Sequence, residues 1–407
     1  MLAALETGVK GGKWFSLMDK ILAPNTLRAA WARVRANGGA PGADRQTIAM
    51  FERREEENLR QLGESLKKGG YQPQPVRRVW IPKPGNPKGR PLGIPTVRDR
   101  VVQTAVRAAL EPIFERDFAQ HSYGFRPGRG CKDALRRVQA LLDEGRAWVV
   151  DADLKSYFDT IPHGPLMKRV REKVADGSVL ALLEAYLKQQ VMEGLAKWTP
   201  DGGTPQGAVI SPLLANLYLD PLDRLMAESG FEMVRYADDF VILCRTRQEA
   251  ETALARVRTW TAQAGLTLHP EKTRIVDATQ KGGFDFLGYH FERGYRWPRK
   301  RSLEKFREAL REATPRNAGQ SLSCIIGKVN GRVRGWFEYF KHSHPNPFEP
   351  LDGWVRMRLR SILRRRQHKR GRGRGSDHQR WPNAYFASAG LFSMAAARCL
   401  AVESARR

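Results

Sequence analysis

The stretch Phe231-Glu232-Met233-Val234-Arg235-Tyr236-Ala237-Asp238-Asp239-Phe240-Val241-Ile242-Leu243 decides how this chain is read. Apolar runs at 231–234 and 240–243 flank Tyr236-Ala237-Asp238-Asp239, the pattern of a strand, a tight turn and a second strand. Adjacent carboxylates presented into a cleft by such a turn are costly unless a cation binds them. Mg²⁺ is the natural counter-ion, because a hard ion takes oxygen ligands and keeps positions for water and phosphate. Taken alone, the same turn also suits a solvated hairpin tip.

A second acidic strand lies upstream, in Trp148-Val149-Val150-Asp151-Ala152-Asp153-Leu154-Lys155-Ser156-Tyr157-Phe158-Asp159. Its apolar residues suit a central strand, and a carboxylate within such a strand needs a partner. One carboxylate from here and the pair at 238–239 would suffice for a two-metal site, whose ions lie roughly 3.5–4 Å apart. Such a site aligns a 3′-hydroxyl, neutralises a triphosphate and stabilises the leaving pyrophosphate. Period-2 alternation places Asp151 and Asp153 on one face, so spacing does not choose between them. Either also suits a strand-end carboxylate paired with Lys or Arg.

Charge narrows the partners. The 407 residues allow two or three domains, and 70 Lys plus Arg against 43 Asp plus Glu give a net charge of +27. That excess does not fit an ordinary cytosolic enzyme of small molecules and implies a polyanion, most simply nucleic acid. An anionic membrane surface is the second candidate, but no apolar run approaches the roughly 20 residues of a spanning helix. Gly11-Gly12-Lys13 interrupts the place where a signal peptide would be apolar. Cys131, Cys244, Cys324 and Cys399 are far apart, which suggests neither a zinc knuckle nor a disulfide framework and is consistent with a reducing cytosol.

Mixed strands and helices with crossovers predict an α+β domain to about residue 290. Helices are expected near 27–34, 51–68, 98–114, 135–142, 211–225 and 248–264. Residues 77–83 read as a strand running into a Pro/Gly loop, and Asn37 to Asp44 as a loop. Beyond residue 291 strand signal fades. Arg356 to Arg370 reads as a basic helix, followed by Arg-Gly repeats at 370–375 that read as a flexible cationic loop, both suited to a nucleic-acid backbone.

The motifs come in a telling order: Ile81-Pro82-Lys83-Pro84 with Arg90-Pro91-Leu92-Gly93-Ile94-Pro95; Gly124-Phe125-Arg126-Pro127-Gly128-Arg129; Asp153 through Asp159; Gly203-Thr204-Pro205-Gln206-Gly207 with Ser211-Pro212; Tyr236 to Asp239; and Phe286-Leu287-Gly288-Tyr289. This series resembles the consecutive blocks of reverse transcriptases, specifically the bacterial group II intron reverse transcriptase/maturases. Gly335-Trp336-Phe337-Glu338-Tyr339-Phe340 looks like the start of their thumb/maturase domain, and Trp381-Pro382-Asn383 and Gly390-Leu391-Phe392-Ser393 like its end.

The resemblance implies a right-hand polymerase, with fingers and palm followed by an α-helical thumb/maturase domain. The corresponding segments are an N-terminal extension at 1–75, fingers and palm at 76–290, thumb/maturase at 291–370 and a basic segment at 371–407. It favours Asp153 over Asp151 as the first catalytic carboxylate, with Asp238 and Asp239 as the second motif, Leu154 offering a backbone carbonyl to a metal, and Asp159 structural. Phe158 matches the gate against a ribose 2′-hydroxyl. Lys83 and Arg90 match cations that grip the incoming triphosphate, Gln206 the residue beneath the nucleotide, and Lys272 a group near the phosphates. Leu287, Gly288 and Tyr289 match the primer grip, while Phe125, Arg126 and Arg129 would lie along the template, which the 37–44 loop is also expected to approach.

Two Mg²⁺ ions, replaceable by Mn²⁺, are the implied cofactors. The implied partners are group II intron RNA, an RNA template with a DNA or RNA primer, target DNA and dNTPs, in a bacterial cytoplasm, at the nucleoid or on the intron RNA. The family's larger members end in a His/Cys-rich endonuclease domain, whose paired Cys ligands this sequence lacks, so it resembles the compact subgroup. Two other readings stay open: an RNA-binding maturase whose splicing role bypasses the polymerase site, and a domesticated enzyme of DNA repair or phage defence.

Overall fold

The computed structural model of the chain describes the backbone of residues 12–83, 86–317 and 319–406. Side chains at 83–88 and 402–407 lie outside the described residues, and with them the expected triphosphate cation Lys83. The chain forms two compact units, divided after Ile275.

The first unit carries β1 (Val76–Lys83), β2 (Asn86–Ile94), β3 (Trp148–Asp153), β4 (Val191–Glu193), β5 (Ala196–Trp198), β6 (Glu232–Tyr236) and β7 (Asp239–Cys244), and the division falls within β8 (Arg274–Asp277). β1 and β2 make an antiparallel hairpin, and the short β4–β5 hairpin joins β1 in parallel, giving the order β2-β1-β4-β5. The second sheet runs β6-β7-β3-β8. Its centre follows from composition: Val149, Val150, Ala152, Phe240, Val241, Ile242 and Leu243 are all fully buried, as β-branched and aromatic residues in a covered sheet should be. The helices Ser211–Glu228 and Arg247–Gln263 pack on this sheet.

The helix Val97–Glu115 is capped by the Thr96 hydroxyl, which accepts from the Asp99 amide at 3.2 Å. It buries Val97, Val101, Ala105, Leu110 and Ile113, and its Arg100 holds the loop that follows the helix Pro24–Asn37 by donating to the Gly38 and Ala40 carbonyls at 3.0 Å each. Arg77 grips the same loop at the Pro41 carbonyl, 2.7 Å away. Gly42 lies so close that a Cβ there would meet Thr96 Cα at 2.6 Å. The 37–44 loop, expected toward template, thus has much of its backbone turned to the protein.

The second unit opens with β9 (Phe284–Phe286), β10 (Tyr289–Glu292) and β11 (Tyr295–Pro298) in the order β11-β10-β9. Helices Lys300–Ala313, Leu322–Phe340 and Phe348–Arg366 enclose Phe306, Val329, Phe337, Phe348 and Leu359. Here the expected basic helix needs correction. It ends at Arg366, and Arg360 is only 3% exposed, donating to the Trp381 carbonyl at 2.9 Å and to Asn383 Oδ1 at 2.8 Å. Arg364 pairs with Asp377 at 2.6 Å. Nor is the Arg-Gly stretch a free tether: the Gly373 amide donates to Ser361 Oγ, and a Cβ there would lie 2.7 Å from Arg360 Cβ. The sign of the charge was legible, but its inward direction depends on partners some twenty residues away.

Removing a buried donor leaves its acceptor unpaired, at about 1–3 kcal/mol. Arg360→Ala is therefore expected to lower the unfolding free energy by that order, while exposed Arg365→Ala stays within about 0.5 kcal/mol. Equal midpoints for the two variants in guanidinium titrations would contradict this packing.

Candidate active site

Tyr236 and Asp239 are register partners, so Ala237-Asp238 is a two-residue hairpin loop. Ala237 sits at φ 60°, the left-handed region where the first residue of such a loop is usually glycine. The surroundings hold it there. A Cβ on Gly124 would lie 2.3 Å from the Ala237 nitrogen, so glycine alone permits this approach. Asn216 Nδ2 donates to the Gly124 carbonyl at 2.7 Å, and Asn216 Oδ1 accepts from Arg235 Nη1 at 3.0 Å. The same Nη1 donates to the Ala237 carbonyl at 2.8 Å.

Arg235, 1% exposed, is itself fixed by Asp223, which accepts from Nε at 2.8 Å and Nη2 at 2.5 Å. Burial alone would lower the guanidinium pKa, and Asp223 beside it more than reverses that, so Arg235 stays charged. Its backbone is bracketed too: the amide donates to the His121 carbonyl at 3.0 Å, and its carbonyl accepts from the Tyr123 amide at 2.9 Å.

Across the sheet, Asp153 on β3 is the register partner of Asp239 on β7, which puts the two on one face beside the Asp238 turn. The Asp238 carboxyl is pushed above its ordinary value by burial and by the Asp153 charge, while Arg90 and Arg235 pull it down. Asp153 Oδ2 accepts from Lys272 Nζ at 2.5 Å. Asp151 meets Arg274 Nε at 3.2 Å, which fits the strand carboxylate paired with a cation. Leu154 is buried, and its neighbours tie the strand end to the loop carrying Lys272: the Asp153 carbonyl accepts from the His269 amide at 2.7 Å, and the Lys155 amide donates to the Thr267 carbonyl at 2.8 Å.

A cavity of about 280 Å³ is lined by Arg78, Pro91, Phe158, Asp159, Gly203 and Gln206. The Gly203–Gly207 loop is sewn to its neighbours: the Thr204 amide donates to the Phe158 carbonyl at 2.6 Å, and the Gly93 amide to the Gln206 carbonyl at 2.6 Å. Phe158 is buried, with its ring edge-on to Tyr157 at 5.6 Å between centroids. Gln206 Oε1 accepts from Arg90 Nε at 2.9 Å, and Gln206 Nε2 donates to Asp159 Oδ2 at 3.0 Å. Asp159, expected to be structural, is thus a wall of this cavity. No pattern in the local sequence signals that contact.

The three residues expected along the template differ in setting. Phe125 is 47% exposed with φ 60°, its ring 6.4 Å from that of Tyr236. Arg129 donates to the Gln120 carbonyl and lies 6.0 Å over the Tyr123 ring. Arg126 is a correction: its side chain is 2% exposed, pairs with Glu115 at 2.8 Å and donates to the Ala119 and Ser122 carbonyls at 2.6 and 2.8 Å. It holds the loop rather than facing a template. In the second unit, Leu287 and Gly288 both have positive φ; the Leu287 carbonyl accepts from Tyr339 Oη at 2.7 Å, and Tyr289 Oη donates back to the Tyr339 carbonyl.

The donor set fits a hard cation. Among the described residues no three His, Cys, Asp or Glu side chains converge as a complete metal cage. Asp153 and Asp238 with a backbone oxygen would supply part of a shell of the oxygen ligands that Mg²⁺ takes, with water or phosphate oxygens completing it. Burial first, and the Asp153 charge after it, raise the Asp238 pKa, and a bound cation would offset both.

Comparison with known proteins decides the family. The model for reverse transcriptase (RNA-dependent DNA polymerase) matches residues 81–291. The chain belongs to the reverse transcriptase family. The group II intron maturase-specific domain matches residues 303–381, so the reverse transcriptase is of the group II intron type. It is 36% identical over 365 residues to protein YkfC of Escherichia coli, covering 78% of this chain and 92% of that one. It is 39% identical over 210 residues to group II intron-encoded protein LtrA of Lactococcus lactis, covering 51% of this chain and 34% of LtrA, so it spans about a third of that relative. An "Uncharacterized 91 kDa protein in cob intron" of Schizosaccharomyces pombe is 28% identical over 367 residues, covering 69% of this chain and 45% of that one. The reverse transcriptase is an RNA-directed DNA polymerase with a maturase domain; its α+β first unit and helical C-terminal region are the polymerase-plus-thumb/maturase architecture, and divalent-metal dependence comes with the family. Among the described residues no helix is long and apolar enough to cross a membrane.

Asp223→Ala leaves the Arg235 charge buried and unpaired, a loss of about 3–5 kcal/mol measurable as a fall in Tm. Asp238→Asn removes a carboxylate that burial penalises, so in EDTA its Tm is expected to equal or exceed that of wild type. Mg²⁺ should raise the wild-type Tm and leave that of Asp238→Asn unmoved; an equal Mg²⁺ shift in both would remove Asp238 from the cation site.

Proposed function

We propose that this reverse transcriptase copies group II intron RNA into cDNA at the Asp153–Asp238 site and also binds that RNA to assist its splicing. The observation that carries the polymerase reading is the register pairing of Asp153 with Asp239 across β3 and β7, which sets both beside the Asp238 turn. Fingers and palm run to about residue 290, the thumb/maturase from 291 to 370 and a basic segment from 371.

Asp153 and Asp238, with the Leu154 carbonyl and support from Asp239, are the groups that would hold two Mg²⁺, or Mn²⁺ in their place. Bound there, the cations supply the charge that activates a primer 3′-hydroxyl and stabilises phosphoryl transfer. Arg90, and Lys83 on the same hairpin, take the triphosphate; the planar guanidinium suits two phosphate oxygens at once. Lys272, whose Nζ pairs with Asp153 at 2.5 Å, is the further cation near the phosphates. Gln206 lies under the incoming nucleotide, and the Phe158 ring crowds a ribose 2′-hydroxyl. Leu287, Gly288 and Tyr289 grip the primer, and Phe125 and Arg129 border the template. The net +27 charge supports affinity for intron RNA, RNA template with DNA or RNA primer, and target DNA, in a cytoplasmic or nucleoid setting.

Primer extension on an RNA template with dNTPs and Mg²⁺ tests this. Wild type should give full-length cDNA, and Asp238→Ala should lose at least about 10³-fold in rate while RNA binding stays within about twofold. Phe158→Ala should incorporate rNTPs more readily; unchanged sugar selectivity would remove the gate. Salt-sensitive RNA binding with no extension by wild type would favour a maturase that does not use this site.

A further inference from the structure

We infer that Asp159 is a positioning residue for the incoming nucleotide: it locks the orientation of the Gln206 amide and, through it, the Arg90 guanidinium. The inference rests on the reading of Gln206 and Arg90 as nucleotide contacts.

Chemistry forces the order of this chain. A carboxylate at neutral pH only accepts hydrogen bonds, and a guanidinium only donates. An amide between them has one satisfying orientation, with Nε2 toward Asp159 at 3.0 Å and Oε1 toward Arg90 at 2.9 Å. The usual ambiguity between amide oxygen and nitrogen is thereby removed. The bond to Arg90 uses Nε, and because the guanidinium is planar, fixing the Nε–H direction fixes the plane of its remaining N–H groups. Arg90 and Asp159 are both exposed, so neither is held by burial; the three-residue chain is what orders them.

The backbone is built to bring these side chains together. The Asp159 amide donates to the Ser156 carbonyl at 2.8 Å, and the Gly203 amide to the Ile161 carbonyl at 2.8 Å. A Cβ on Gly203, φ 86°, would lie 2.7 Å from the Asp159 carbonyl carbon, so only glycine lets the loop approach. On the far side the Gln206 carbonyl accepts from Gly93, on the strand that carries Arg90. Asp159 therefore faces the cavity with its position set by main chain on both sides, immediately after Phe158, which lines the same cavity.

Single-nucleotide addition on a fixed RNA template and primer tests the relay. Asp159→Ala should raise KM for dNTP about tenfold, the scale of one charge-assisted hydrogen bond, with kcat changed less than about threefold and Tm and primer–template Kd unmoved. Gln206→Glu sets two carboxylates against each other and should raise KM by at least as much. Adding Asp159→Asn to Gln206→Glu restores a donor–acceptor pair, because Asn Nδ2 can donate to the new carboxylate, which still accepts from Arg90; KM should recover most of the loss. Failure of that rescue, or Asp159→Ala and Gln206→Ala effects that simply add, would overturn the relay. If Gln206→Glu and Gln206→Ala leave KM unchanged, the nucleotide-site reading itself fails and takes the relay with it.

Discussion

The buried pair of Arg235 and Asp223 is the constraint on which the active face depends. A fully enclosed guanidinium is tolerable only if its charge is matched and its donors are used. Here Nε and Nη2 serve Asp223, and Nη1 divides between Asn216 and the Ala237 carbonyl. The pair joins the helix Ser211–Glu228 to β6, and Asn216 extends the connection to Gly124. A non-glycine residue in a left-handed turn costs of order 1–3 kcal/mol and persists only where the surroundings over-determine it. Ala237 is in that position, with its carbonyl held from below and its nitrogen covered by Gly124. That clamp fixes the backbone from which the Asp238 side chain projects.

Much of the fold and the centre of the site could be read along the chain, because they depend on local pattern. Apolar runs around Asp151–Asp153 and Asp238–Asp239 became adjacent strands, since alternation and burial favour that pairing. What remained hidden depends on distant partners. Asp151 and Asp153 look alike in sequence; Arg274, more than a hundred residues away, pairs with the first, while Asp239 lies opposite the second. Asp159 is expected to be structural, and its contact with Gln206 on the Gly203–Gly207 loop, 47 residues away, has no local sequence signal. Arg360 reads as a nucleic-acid contact because sequence reports the sign of a charge and not the side it faces, and the family resemblance sets Arg126 along the template; Glu115 and the Trp381 carbonyl turn them inward.

Those inward arginines change what net charge means here. Arg126, Arg235 and Arg360 are each buried against specific acceptors, so part of the basic composition is structural mortar. Guanidinium suits that work better than ammonium, since its donors can hold several carbonyls at once: Arg126 alone serves Glu115, Ala119 and Ser122. The exposed cations remain numerous enough for a polyanion, but a count of Lys and Arg overstates the surface available to it.

Around the carboxylates the balance is reversed. Burial and the charge of Asp153 both disfavour ionised Asp238, while a hydrogen bond from its own backbone amide and the charges of Arg90 and Arg235 act against them. Asp153 has Lys272 as its ion-pair partner. Arg90 thus stands in two networks: its charge favours ionised Asp238, and its Nε is held by Gln206 and hence Asp159. A phosphate that draws on Arg90 weakens that support for Asp238 and increases the demand for metal charge at the carboxylates. If Arg90 takes the triphosphate and the carboxylates take the cation, as proposed, the two affinities are coupled through one guanidinium, and binding of either should strengthen binding of the other.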